Sequence, residues 1–549
     1  MMRSLLKWAI GLGILLIAAC LALWFFALRA PPPGRPLAPL TISSGPVRGL
    51  EEEGVAVYRG IPYAAPPVGD LRWREPHPVA AWTRPRDAFA FSRTCMQVGD
   101  PIAGSVLEPM SEDCLYLNVW TPVTRGNAPL PVMVWIHGGG NRNGSASAAP
   151  YSGAALARKG VVVISVNYRL GALGFLAHPE LTRESGHGAS GNYGLMDIIA
   201  ALKWVRTNAP AFGGDPANVT MFGQSAGAWN ISNLQVSPLA RGLYRRAIAM
   251  SGGDFAPADT PHGIPLLPEA EQAGTRLATR LGADSLAKLR TIPASAIVEA
   301  SKSWPAFTDR SNVPGVVDGY VLTADPYRLY ASGAAAPGDL LAGYTSEEGA
   351  TISGLPVTAA AYQARIRKTY GAYAERVLAL YPARSEAEAN RSHQRVTGEE
   401  GIKWPVATWA RLHAGTRRGN VFLYRFSHRP GLGPFNGIPS HGTDMWYVFD
   451  FPERVRRYGS QWPWDAYRDI AMIDDIQNYW VNFARTGNPN GAGLPQWPEF
   501  SRAAGVMELG KTAKAEAWPD AAEHRLMDDY MGAIRKARGT PASAGAAPR

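Results

Sequence analysis

Four short apolar runs, separated by stretches of helical periodicity, most constrain how this chain can fold. They are Leu130–Ile136, Gly160–Asn167, Asn218–Phe222 and, more weakly, Asp339–Gly343. Apolar runs of about four to eight residues bounded by glycine and polar turns bury both faces of a strand, as happens inside a parallel sheet. Between the second and third runs lies Asn192–Arg206. There Leu195, Ile198, Ile199, Leu202 and Val205 recur at helical spacing and predict one buried helix face. Strands alternating with helices predict an α/β fold with a central, mostly parallel sheet flanked by helices. Residues 255–335 carry no strong strand signal and 355–420 look helical, so both are expected as helical cap insertions over the sheet edge. A late helix is expected over Ile473–Phe483, ended by Thr486-Gly-Asn-Pro489.

With 46% hydrophobic and 18% charged residues, the 549-residue chain has ample material for a large core and is not a disordered or fibrous protein. The net charge of +10 raises the question of a nucleic-acid partner. Basic residues occur only in short scattered clusters such as Arg245–Arg246, Arg417–Arg418 and Arg456–Arg457, the pattern of a solvated surface, so no nucleic acid is expected. The 3 cysteines exclude a disulfide-built scaffold and a cysteine zinc cluster, and neither a metal nor a cofactor is expected.

Arg3 and Lys7 precede an uncharged apolar run from Trp8 to Leu28, long enough to cross a bilayer as a helix. Ala18-Ala19 is small enough for a cleavage site, but Leu21–Phe26 follows with no polar break, so residues 1–28 are expected to be an uncleaved signal anchor whose positive flank stays inside. The remainder then lies outside the cytoplasm, periplasmic or extracellular. Two alternatives stay open: a cleaved signal peptide, and lipidation at Cys20 in Ile17-Ala-Ala-Cys20. Residues 29–40 are expected as a stiff Pro-rich linker, 41–537 as the catalytic domain, and 538–549 as a disordered tail.

The run Asn218–Phe222 leads directly into Gly223-Gln-Ser-Ala-Gly227. A Gly-x-Ser-x-Gly between strand and helix is a nucleophile elbow. It lifts Ser225 clear of the sheet at a helix N-terminus, where backbone N–H groups favour developing negative charge. His137-Gly-Gly-Gly140 ends an earlier strand. The N–H groups of Gly139, Gly140 and Ala226 are the expected oxyanion donors. A serine nucleophile needs a base and an orienting carboxylate, in the chain order Ser, acid, His. His262, His393, His413, His428, His441 and His524 all follow Ser225. His441 stands out because Gly437–Asp444 is a turn-rich loop leading into apolar Met445–Phe449. The acid lies in Leu341–Gly349, where the residues alone do not choose between Glu347 and Glu348.

The motifs together resemble the type-B carboxylesterases, the family of cholinesterases, liver-type carboxylesterases and bacterial p-nitrobenzyl esterases. The likeness runs from about residue 45 to 500 and rests on Gly60-Ile-Pro-Tyr-Ala-Ala-Pro-Pro-Val-Gly69 with Leu71-Arg-Trp73, Ser111-Glu-Asp-Cys-Leu-Tyr-Leu-Asn118, and Val166-Asn-Tyr-Arg-Leu170 with Gly174-Phe175. It rests also on Phe212-Gly-Gly-Asp-Pro216 leading to Phe222-Gly-Gln-Ser-Ala-Gly227, on Tyr479–Asn490, and on Trp497-Pro498. It implies an α/β-hydrolase fold and a serine carboxylic-ester hydrolase that works through an acyl-enzyme on small-molecule esters. The family's acid directly precedes a glycine, which implies Glu348. Its histidine is followed by glycine and shortly by an acid, which supports His441. It also pairs Cys95 with Cys114, a bridge expected to contribute roughly 3 kcal/mol in an oxidising compartment.

Some positions depart from the family. Asn141 follows the glycine run where an aromatic is common, and is expected to widen or polarise the wall beside the oxyanion hole. Ile198-Ile199 replaces a polar residue and implies altered packing. The loop between Cys95 and Cys114 has no tryptophan, which argues against choline esters. Trp229 either faces the acyl pocket or packs in the core. A non-catalytic binding or adhesion protein is the alternative, although such relatives lack part of the triad that this chain keeps.

Overall fold

Backbone pairing joins twelve strands into one sheet. In chain order they are Arg35–Pro36 (β1), Leu50–Glu52 (β2), Val55–Pro62 (β3), Tyr116–Pro122 (β4), Leu130–Ile136 (β5), Val162–Val166 (β6), Gly214–Gln224 (β7), Arg246–Met250 (β8), Asp339–Thr345 (β9), Val421–Phe426 (β10), Gly505–Leu509 (β11) and Ala513–Ala517 (β12). The computed structural model describes residues 34–99, 109–124, 126–257, 260, 263–302, 315–430, 437–450, 463–500 and 505–537. The apolar run Trp8–Leu28, the expected tail 538–549 and His262 lie outside them. No helix among the described residues is long and apolar enough to cross a membrane.

The spatial order is β1-β2-β3-β4-β6-β5-β7-β8-β9-β10-β11-β12. From β6 to β11 all pairs are parallel, and antiparallel strands complete both edges. The expected runs fall on β5, β6, β7 and β9. Alternate residues of β5 enter two separate cores. Val132, Val134 and Ile136 join one cluster, and Met133 and Trp135 join the other. That two-sided burial is why β5 is apolar along its length rather than alternating. β8 and β10 escaped the sequence reading. β8 is a short Arg-Ala-Ile-Ala-Met with little bulk, and β10 is broken by Arg425, whose guanidinium reaches Glu508 at 2.9 Å.

The predicted helix at Asn192–Arg206 forms as Tyr193–Asn208 (α1). Leu195, Ile198, Ile199, Leu202 and Val205 are all buried in the larger core, so the Ile198-Ile199 pair is a packing feature. Both regions expected as caps are helical over much of their described length. The helix expected at Ile473–Phe483 is longer, spanning Pro463–Thr486. The expected linker also differs at its end. β1, inside residues 29–40, pairs with Leu50 and Glu51, so the folded body starts before residue 41. Pro36 is tolerated there because an edge strand leaves one row of backbone groups unpaired. Cys95 and Cys114 form a disulfide, as the resemblance implied.

A buried ion pair ties α1 to the segment that leaves β6. Arg169 Nε and Nη2 donate to both Asp197 oxygens at 2.8 and 2.7 Å, and the Arg169 backbone N–H donates to Asp197 Oδ2 at 3.0 Å. Both side chains are almost wholly buried. Burial pushes the Asp197 carboxyl above its ordinary value, while the guanidinium pulls the other way. Asp197→Ala would strand the guanidinium without a counter-charge. The expected cost is about 3–5 kcal/mol, read as a lower midpoint in chemical denaturation; an unchanged midpoint would show the pair to be dispensable.

Candidate active site

β7 ends at Gln224, and the helix Ala226–Val236 (α2) starts two residues later. Ser225 makes the turn alone, at φ 56° and ψ −123°. Such a conformation costs a non-glycine residue about 1–3 kcal/mol. It is held by Ser225 N–H donating to Met250 O of the neighbouring β8 at 2.9 Å, and by Ser225 O accepting from Ala228 and Trp229 N–H. The flanking glycines are needed for space. A Cβ on Gly227 would lie 2.0 Å from the Ile136 carbonyl oxygen, and one on Gly223 would lie 2.8 Å from it. Helix and strand therefore cross in contact with the next strand's backbone.

The glycine run leaves β5, which lies beside β7 in the sheet. A Cβ on Gly138 would sit 3.0 Å from Ser225 Cβ and 2.7 Å from Gln224 O, so the run rests against the elbow. Among the described residues no hydrogen bond uses the N–H of Gly139 or Gly140. Ala226, the first residue of α2, has no partner within the helix for its own N–H. His137 steadies the run: its Nδ1 lies 2.9 Å from Gly138 O and its ring stacks on Tyr168 at 4.4 Å. Burial lowers the His137 pKa to about 4, so it is neutral in ordinary buffers and brings no charge to the glycine run.

Asn141 departs from its expectation. Its amide exchanges hydrogen bonds with Asn230 at 2.9 and 2.8 Å and accepts from Tyr168 OH at 3.0 Å. The residue is only 2% exposed, so its polarity is consumed inside the core rather than in the wall of the hole. Trp229 packs with the larger core cluster and keeps 8% exposure, with Cδ1 facing Gly252.

Glu348 lies just beyond β9. Its Oε1 accepts from Thr345 N–H at 2.6 Å, and its Oε2 is 2.6 Å from His441 Nδ1. Glu348 is fully buried, whereas Glu347 is exposed and engages the Pro439 carbonyl only through its backbone N–H. Burial alone would raise the Glu348 pKa. The opposing attraction and hydrogen bond of His441, with the Thr345 N–H, hold it below the ordinary carboxylate value. The glycine after the acid has a steric cause: a Cβ on Gly349 would lie 1.8 Å from the Gln394 carbonyl.

His441 Nε2 is 3.2 Å from Gln224 Nε2. An amide nitrogen only donates, so Nε2 is the acceptor and the ring proton sits on Nδ1, facing Glu348. That is the tautomer a general base needs. The hydrogen bond at Nε2 comes from Gln224 and not from Ser225 Oγ. Sequence reasoning gave Gln224 no role, and only the return of the His441 loop to the elbow reveals it. Asp444 holds that loop in place. Its Oδ2 accepts from Tyr424 OH of β10 at 2.6 Å, and burial pushes its carboxyl up to about 6.

The other described histidines that follow Ser225 in the chain are engaged elsewhere. His393 and His413 meet the carbonyls of Ser353 and Gly338. His428 and His524 face Asp469 and Glu399 at 2.7 and 2.5 Å, away from the elbow.

The model of the carboxylesterase family matches residues 38–527. The chain belongs to the carboxylesterase family. It is 39% identical over 479 residues to the fumonisin B1 esterase of Sphingopyxis macrogoltabida, covering 85% of each chain. It is 34% identical over 481 residues to the para-nitrobenzyl esterase of Bacillus subtilis (strain 168), covering 84% of this chain and 92% of that one. A solved PNB esterase superposes with a TM-score of 0.75 at 32% identity, covering 89% of this chain and 99% of the other. A thermophilic PNB esterase superposes at 0.76 and 31% identity with the same coverage. The fold is the α/β-hydrolase fold of these carboxylesterases. The chain is a serine carboxylic-ester hydrolase, and the catalytic reading holds over a binding or adhesion one.

The crossing at the elbow gives a test. Gly227→Ala is expected to lose ester turnover at least about a hundredfold, because moving the Ile136 carbonyl shifts Ser225 by enough to spoil its alignment. Steady-state assay with a p-nitrophenyl ester reads this, and near-normal turnover would show that the contact tolerates a methyl group.

Proposed function

We propose that Ser225 is the nucleophile of this carboxylesterase, His441 its general base and Glu348 the carboxylate that orients the imidazole, with Gly139, Gly140 and Ala226 N–H binding the oxyanion. The observation that carries the proposal is the 2.6 Å Glu348–His441 contact facing the elbow, with Nε2 left as an acceptor. Ser225 Oγ attacks the ester carbonyl and its proton passes to His441 Nε2. Gln224 gives up its hydrogen bond at Nε2 for that step. The developing negative oxygen meets the three N–H groups. Glu348 stabilises the imidazolium without taking its proton. His441 then protonates the departing alcohol, and a water activated by the same nitrogen releases the acid from Ser225. Two relatives are named for fumonisin B1 and para-nitrobenzyl esters, and both serve as trial substrates here.

Ser225→Ala is expected to lower ester turnover at least about a thousandfold while leaving the fold intact. An organophosphonate probe should label the wild type at Ser225 and spare the variant. Glu348→Gln should impair turnover far more than Glu347→Gln, because only the buried carboxylate meets Nδ1. Labelling at another residue, or equal effects of the two glutamine variants, would reject the assignment.

We also propose that the chain is anchored through Trp8–Leu28 with the catalytic domain outside the cytoplasm. The Cys95–Cys114 bridge supports this, since such bonds persist in oxidising compartments. Full-length protein should stay with membranes through a salt wash and dissolve in detergent, and protease added to spheroplasts should digest it. A soluble, protease-protected protein with free thiols would refute the placement and leave the esterase chemistry untouched.

A further inference from the structure

The folded body begins close to the apolar run. Gly34 is the first described residue. A Cβ on it would lie 2.9 Å from Glu52 Cγ and 3.0 Å from Leu50 Cβ, so it rests on β2. Six backbone steps separate Leu28 from Gly34. Fully extended, they reach at most about 22 Å. The pairing of β1 with β2 holds Arg35 and Pro36 in the sheet, so these residues add nothing to that reach. The surface around Gly34 therefore lies next to the end of the apolar run.

That surface is built from arginines and aromatic rings. Glu52 accepts from Arg59 Nη1 and Nη2 at 2.7 and 2.6 Å, and the Arg59 guanidinium lies 5.2 Å from the centre of the Phe91 ring. Arg48 lies 5.5 Å from the Phe89 ring and Arg86 5.1 Å from the Trp82 ring. The segment that carries these rings is tied to the start of the body. Trp82 donates from its backbone N–H to Ser44 O and from Nε1 to Pro46 O, both at 2.8 Å. Arg86-Asp87 pairs with Val47-Arg48 as a short parallel strand. The charges do not cancel. Glu51, Glu52 and Asp87 are matched by Arg35, Arg59 and Arg48. Arg84, Arg86 and Arg93 are exposed and form no ion pair among the described residues. Phe91 is 39% exposed beside them.

We infer that this face, the segment Trp82–Arg93 with Arg48 and Arg59, docks on anionic phospholipid headgroups of the membrane that holds the apolar run. The domain then lies on the bilayer instead of standing off it. This rests on the proposed anchor and adds an orientation to it. Reach and charge together select the occupant. The tether keeps the bilayer within about 22 Å, so modest contacts suffice to hold the face down. The guanidiniums donate to lipid phosphate, and the rings sit at headgroup depth, where amphipathic side chains are favoured. Each unmatched arginine near an anionic surface contributes a factor of about five, so the three together favour docking roughly a hundredfold.

The test places the full chain in nanodiscs of phosphatidylcholine alone or with about one-third phosphatidylglycerol. Hydrogen exchange is followed over residues 81–93, with the helix Glu386–Gly398, packed on Gly349 beyond β9, as the control. Residues 81–93 should exchange at least about threefold more slowly with phosphatidylglycerol, and about 0.5 M salt should remove the difference. The control helix should not change. R84Q/R86Q/R93Q should lose the difference while staying in the discs and keeping wild-type turnover of a p-nitrophenyl ester. Equal exchange in the two lipids, or protection confined to another surface, overturns the inference. Protection that needs no phosphatidylglycerol and grows with the number of copies per disc assigns the face to a second copy, and overturns it as well. Should the variant not fold, the lipid and salt comparisons on the wild type still decide. A chain held by neither disc removes the anchor and the docking with it, whereas a chain held in both and protected in neither removes only the docking.

Discussion

The site depends on the contact between Gly227 and the carbonyl of Ile136. A strand followed at once by a helix must turn sharply, and here the helix folds back over the adjacent strand with no room for a Cβ at the crossing. That approach sets the position of Ser225 at the start of α2 and brings the glycine run leaving β5 against the elbow. The strain at Ser225 persists because neighbouring backbone groups on β8 and α2 hold it from both sides.

The parallel sheet supplies the rest of the geometry. β5, β7, β8 and β9 lie side by side and run the same way, so the glycine run, Ser225 and Glu348 all emerge at one edge. Carboxyl ends of parallel strands are where α/β proteins gather their ligands, for this topological reason. His441 arrives differently. It comes in the segment from Gly437, which is fastened by Glu347 N–H to Pro439 O and by Tyr424 OH to Asp444.

Electrostatics then divides the labour among similar groups. Glu348 and Glu347 are neighbours, yet one is buried against an imidazole and the other faces water. His137 and His441 both border the elbow, yet burial without a counter-charge keeps the first neutral, while the second has a carboxylate at Nδ1. In each pair the residue type is the same and the desolvation and the partner differ.

The sequence by itself determined a good deal. The apolar runs specified β5, β6, β7 and β9, because a strand buried on both faces has no alternative to continuous apolar residues. The helical spacing specified α1. The elbow and the glycine run pointed to Ser225 and to the N–H groups proposed as oxyanion donors, because a tight strand-to-helix turn is a backbone shape that adjacent residues encode. Contacts between distant residues were decided by the tertiary structure. Glu347 and Glu348 are chemically identical, and only burial separates them. Asn141 looked like a wall residue until Asn230 and Tyr168, far away in the chain, took its amide. Gln224 acquired its contact with His441 when a loop some two hundred residues later returned to the elbow. β8 and β10 were too short or too interrupted to stand out, and they are strands because their neighbours supply the hydrogen bonds. Local pattern fixes what depends on adjacent residues. Burial and long-range partners exist only once the sheet has brought its strand ends together.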